Sequence, residues 1–215
     1  MTRPVPSCRC RPCWAGALLL ALLLCPPVRQ LLEARMSLHM LVQFPALMLA
    51  GALLATAAPT RLRRMGAAWN AKGIGGLAAA ALVLAVAMIP RLLDLALVDW
   101  RIQAAKVAAL LLCGAVLWPS WRAAGWVVQG FFLGNVLAMT GIVGLLYQDT
   151  PIRLCNAYRL DDQQHLGQGL VALAIGLALW WLLRVGRRLA ADAPPDTGPA
   201  AQSSSGAMPG NSTSV

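Results

Sequence analysis

The first chemical signal lies at the start of one apolar stretch. Met36, His39, Met40 and Gln43 stand three or four residues apart in Met36-Ser37-Leu38-His39-Met40-Leu41-Val42-Gln43, so on a helix they share one stripe. Two thioethers with an imidazole suit Cu(I); zinc would ask for thiolates or more histidines, and calcium for oxygens. The chain has two histidines, and the other, His165, opens the last apolar stretch. Cys155 lies in the loop before it, where an unpaired thiol in an oxidising compartment is reactive, intermolecular or a ligand. Met36, His39, Met40, His165 and Cys155 are therefore the candidate metal ligands, with copper the candidate ion. The same residues have plainer roles: methionine filling an apolar helix, histidine hydrogen-bonded to a loop, cysteine simply buried. Cys8-x-Cys10-x-x-Cys13 also has soft-metal spacing, but it lacks a fourth ligand and sits in a short arginine-rich segment expected to be disordered. Cys25 and Cys113 read as small apolar residues.

The elements that must position these groups follow from composition. Hydrophobic residues make up 59% of the 215, charged ones 12%, and the mean hydropathy is +0.64. Soluble domains carry about 25% charge, so the chain is expected in a membrane. Its net charge of +10 then sets topology rather than binding nucleic acid, and no basic stripe interleaved with aromatics is present. A spanning helix needs about 20 apolar residues. Met36–Ala57, Gly73–Pro90, Ala123–Gln148 and Leu166–Leu183 are uncharged and read as spans. Ile102–Trp118 is a fifth, with Lys106 near its start expected to snorkel to the interface. Trp14–Cys25 has two readings, a cleaved secretory signal or a retained first helix extended or kinked through Pro26-Pro27. The absence of a small-x-small cleavage site favours retention.

The expected fold is thus an all-α, polytopic transmembrane bundle of about six helices: a basic segment 1–13, a membrane domain 14–189 and a disordered tail 190–215, too poor in apolar residues to order itself. Six helices put both termini on one side. Eleven Lys and Arg fall on that side against seven on the other, which makes it cytoplasmic. Small residues at Gly51-x-x-x-Ala55, Gly130-x-x-x-Gly134, and Gly73, Gly76 and Ala80 suit close helix packing. Asp94 and Asp99 beside Arg91, Arg101 and Lys106 read as interfacial ion pairs. Asp161 and Asp162 precede the last helix, where carboxylates favour the positive end, and Gln168 within that helix is expected to face the bundle. No Gly-x-Ser-x-Gly, phosphate loop, dinucleotide fingerprint or His-Glu-x-x-His is present, so no enzyme is expected.

Two stretches resemble a known family. Ser37-Leu38-His39-Met40-Leu41-Val42-Gln43 is similar to the Ser-x-His-Met-x-x-Gln helix of the CtaG-like cytochrome c oxidase assembly factors, and Asp161-Asp162-Gln163-Gln164-His165-Leu166-Gly167 to the opening of that family's late helix. The resemblance covers about 40 residues. Family members usually have more helices, and often a further His where this chain has Gln43-Phe44. The resemblance implies a bacterial cytoplasmic (inner) membrane protein that handles copper for haem–copper oxidases, with a subunit of such an oxidase as partner beside the bilayer, and His39, Met40 and His165 as ligands. The alternative is a structural or accessory subunit of a membrane complex with no metal. A small transporter is disfavoured by the expected lack of a buried ionisable group. A haem held between His39 and His165 is the remaining option.

Overall fold

The computed structural model describes residues 10–150 and 158–191. The expectations for residues 1–9, for Cys155 and for the tail beyond residue 191 fall outside the described residues. The chain is an all-α bundle. Among the described residues nine helices follow one another: α1 Cys10–Leu24, α2 Pro26–Glu33, α3 Met36–Ala55, α4 Thr60–Trp69, α5 Ile74–Ala87, α6 Pro90–Val98, α7 Trp100–Ala123, α8 Trp126–Asp149 and α9 Leu160–Ala191. Four of them (α3, α7, α8 and α9) are long and apolar enough to cross a membrane alone, which makes this an integral membrane protein in contact with lipid. Large side chains such as Leu82, Leu112, Phe131 and Ile142 point outward, as a lipid solvent allows.

The other two expected spans are shorter and broken. Helix α1 meets α2 at a bend of 68°, and α4 meets α5 at 93°. At 1.5 Å per residue the 15 residues of α1 reach about 22 Å and the 14 of α5 about 21 Å, against a hydrocarbon core of about 30 Å. Each crosses only with its bent partner counted in, so Gly73–Pro90 is a shorter element than its apolar run suggested. The causes are local. Gly73 takes φ 73°, a left-handed turn favouring glycine, and starts α5. Ile89 is extended before Pro90, which opens α6, because a residue preceding proline is pushed out of the helical region. Pro26 and Pro27 likewise open α2 after a non-helical Cys25, at φ −59° and ψ 126°, so the kink expected there is present. Helix α1 begins at Cys10, so Cys10 and Cys13 lie in a helix and not in a disordered segment.

Helix α3 packs between α1 and α7, α5 and α6 lie on α7, and α8 pairs along its length with α9. Inside lipid this packing has no hydrophobic drive between helices and depends on close backbone approach. The α3–α7 crossing shows it. A Cβ on Gly51 would overlap the Leu111 carbonyl, and one on Gly114 the Met48 carbonyl. Gly144 and Gly167 meet in the same way between α8 and α9. In the Gly130-x-x-x-Gly134 pair only Gly130 is packed, against the Trp181 ring, while Gly134 has nothing within 4 Å. Asn70 pins the α4–α5 corner to α7, donating to Ser120 Oγ at 2.6 Å and accepting from the Gly76 N–H at 2.9 Å.

Overpacking a tight site costs about 1–3 kcal/mol. Gly114→Ala is expected to lower the unfolding free energy in detergent by about that amount, while Gly134→Ala brings no loss. Chemical unfolding followed by circular dichroism measures both, and equal behaviour of the two variants would remove the close α3–α7 crossing.

Candidate functional site

The end of the bundle where α3, α7 and α9 begin holds four buried polar side chains, His39, Gln43, Gln103 and Gln163. Helix α3 opens with one α-helical turn, Met36–Leu38, passes through a π-helical turn, His39–Gln43, and becomes α-helical from Phe44 to Ala55. Pro45 supplies a cause. It has no N–H for the Leu41 carbonyl, and the wider turn relieves its ring clash with that carbonyl. Widening keeps successive polar and soft side chains on one face. Met36 and His39 are fully buried, and Met40, Gln43 and Phe44 nearly so. The stripe read from the sequence is therefore the buried face of α3.

His39 is the hub. Its Nδ1 is 2.7 Å from Tyr158 Oη and its Nε2 is 2.8 Å from Lys106 Nζ. Lys106, an ammonium beside the Glu33 carboxylate at 4.0 Å, has only protons to give, so Nε2 accepts and Nδ1 carries the proton donated to Tyr158. Glu33 in turn accepts from Gln103 Nε2 at 2.6 Å and faces Arg29 at 3.4 Å. The edge of the His39 ring also meets Phe44, with centroids 5.5 Å apart, and Lys106 Nζ lies 5.9 Å from the Phe44 ring centre. The resulting chain, Arg29–Glu33–Lys106–His39–Tyr158, joins α2, α7, α3 and the segment just before α9, where Tyr158 stands two residues ahead of Leu160. Lys106 does not snorkel outward: its side chain is 9% exposed, because Glu33 and His39 give it partners inside.

Asp162 adds a second tie. It accepts from the Met36 N–H at 2.7 Å and from Ser37 Oγ at 3.0 Å. It thus caps α3, although it was expected to serve its own helix. An orphan N–H and the positive end of the α3 dipole explain the choice. Gln163 donates to the Tyr147 carbonyl at 3.2 Å. Asp99 caps α7 by accepting from the Arg101 N–H at 2.8 Å. Gln168 is exposed, contrary to expectation. Positions 162, 163, 166, 167 and 170 form the inward face of α9, and 168 lies outside that arc.

The candidate ligands are not brought together as a set. Met36, His39 and Met40 are buried on the same face of α3. His165 is exposed on the outer arc of α9, with Nδ1 2.6 Å from the Asp161 carbonyl of its own first turn. The shared His39–His165 site is therefore not formed, since His39 is enclosed in the core and His165 lies on the exposed arc. Among the described residues no three His, Cys, Asp or Glu side chains gather as a metal-holding group.

A copper ion fits this donor set poorly. The His39 lone pair already points at an ammonium, which would repel a cation, and the buried Gln43 Oε1, without a hydrogen-bond partner among the described residues, is a hard acceptor. Glu33, Gln103, Lys106 and Tyr158 were missed as site residues. The available signal was Lys106, an ionisable group inside an apolar run.

The chain matches no protein-family model, no curated protein and no solved structure.

Removing one partner of the buried contact strands the other at a cost of about 1–3 kcal/mol. His39→Ala and Lys106→Met are each expected to destabilise the bundle by about that amount, and the double variant by at least about 1 kcal/mol less than their sum. Unfolding titrations of the four proteins measure the coupling. Additive losses would show that the contact contributes nothing.

Proposed function

We propose that this protein is a non-enzymatic accessory factor for a larger membrane complex, with a haem–copper oxidase, the client its sequence resembles a partner for, as that complex. It acts through a fixed helical surface and holds no resident copper on Met36, His39, Met40, His165 or Cys155. The observation that supports this most is His39. Both its ring nitrogens are engaged by Tyr158 and Lys106, so the residue most suited to a metal ties helices together. The buried Lys106 and His39 remove the premise that counted against a transporter. Even so, residues 107–121 of α7, 126–148 of α8 and 44–55 of α3 contain no charged side chain, and a carrier of protons or ions needs such groups along its path.

A strain lacking the protein is expected to hold less assembled haem–copper oxidase in its membranes, read from the haem absorbance, with the wild-type chain restoring it. Copper per chain in detergent-purified protein should be the same for wild type and for a His39→Ala, His165→Ala double variant. Unchanged oxidase in the deletion strain would remove the client. Copper that falls in the double variant would return the metal to these residues.

The orientation belongs to the same proposal. The His39 end faces away from the cytoplasm of a bacterial inner membrane. Arg61, Arg63, Arg64, Lys72, Arg122, Arg184, Arg187 and Arg188 gather at the other end, as the positive-inside rule asks. A cytoplasm-active reporter fused after Arg188 is expected to be active and one after Asp161 inactive. The reverse pattern would invert the topology.

A further inference from the structure

At the end of the bundle opposite His39, a cleft of about 470 Å³ opens where α7 ends, α8 begins and α9 passes. Arg122, Arg184 and Arg188 line it together with Trp121, Trp180 and Trp181, and no Asp or Glu does. Among the described residues the ion pairs are those of Arg29, Lys106 and Arg159, so the three cleft arginines have no carboxylate partner there. Arg184 and Arg188 stand four apart on α9, where like charges repel. Three guanidiniums around one cleft without a counter-charge call for an anion.

The walls are held in place. Gln129 Nε2 donates to the Trp121 and Ala124 carbonyls at 2.8 and 3.1 Å, closing the α7–α8 turn over the cleft. Gly130 lets the Trp181 ring lie against α8, and the Trp180 ring sits under Arg184, 5.4 Å from its guanidinium carbon. The depth selects the kind of anion. Helices α7 and α8 both span, so the turn joining them lies at headgroup level, where tryptophans collect. Basic pockets between transmembrane helices at that level take anionic headgroups, and the volume lies within the range of small-ligand sites. Surface arginines that merely set topology would not need an aromatic lining.

We propose that this cleft binds the headgroup of an anionic phospholipid, its phosphate held by Arg122, Arg184 and Arg188 and its acyl chains running along the apolar faces of α8 and α9. The site is independent of the role proposed above.

Native mass spectrometry of the delipidated full chain, titrated with phosphatidylglycerol and with phosphatidylcholine, tests it. Phosphatidylglycerol is expected to bind about tenfold more tightly, because its headgroup carries net negative charge and that of phosphatidylcholine does not. Arg122→Gln, Arg184→Gln, Arg188→Gln together abolish the preference. Lysine at the same three positions keeps most of it. Arg61→Gln, Arg63→Gln, Arg64→Gln, which removes equal charge from α4, leaves it intact. Arg188→Gln alone, in the exposed last turn, lowers the preference several-fold and serves where the triple variant is unstable. A preference that survives the cleft variants, or falls equally in the α4 variant, would overturn the site. So would displacement of the lipid by equimolar inorganic phosphate, which would mark a free-anion site.

Discussion

A buried ammonium is the constraint around which one end of this bundle is arranged. Lys106 lies inside an apolar helix, and a charge in such a place must find partners within the protein. Glu33 and His39 provide them, and each brings its own helix. Glu33 can reach Lys106 only because α1 and α2 meet at a sharp bend that returns the chain over the start of α7. His39 can turn its lone pair inward only because the π-helical turn before Pro45 keeps it on the buried face. Tyr158 then takes the remaining proton of the ring, and Asp162 caps the helix that carries His39. Satisfying one charge therefore fixes the positions of α2, α3, α7 and the start of α9.

This explains which parts of the fold were legible in the sequence. Helices were legible because lipid admits few alternatives: an apolar run of sufficient length must satisfy its backbone internally. The break at Pro26-Pro27 was legible because paired prolines cannot continue the helix that precedes them. Full crossing was less so, since hydropathy scores the run Gly73–Pro90 without registering that a left-handed glycine and an extended Ile89 trim the helix to 14 residues. The buried stripe Met36–His39–Met40–Gln43 was legible from spacing, because residues on one helix carry their relative positions in their numbers.

What spacing could not supply was the partner set. An imidazole flanked by two methionines has the same appearance whether it waits for a soft metal or receives a lysine from 67 residues further along the chain. Residue types list what a group can do, and only the neighbouring helices decide which of those capacities is already used. His165 shows the complementary error. It shares an end of the bundle with His39, but a helix distributes its residues around an axis, and the inward arc of α9 is taken by Asp162, Gln163, Leu166, Gly167 and Leu170. Shared depth placed the two histidines at one level without placing them on one side.

The two ends of the bundle solve the problem of charge in opposite ways. At the His39 end, cations and anions are interleaved: Arg29 with Glu33, Glu33 with Lys106, Arg159 with Asp161. Those charges are neutralised within the chain, and the helices are held in place as a consequence. At the other end Arg122, Arg184 and Arg188 line one aromatic cleft with no acid among its walls. A protein could leave these charges to water, yet the cleft is lined by tryptophans and braced by Gln129. Order is thus invested around unbalanced charge, and the nearest abundant source of the missing charge is the membrane itself. At one end the ion pairs lie within the chain, whereas at the other the helices are packed by Gln129 and Trp181 and the charge they carry is left for a lipid headgroup to balance.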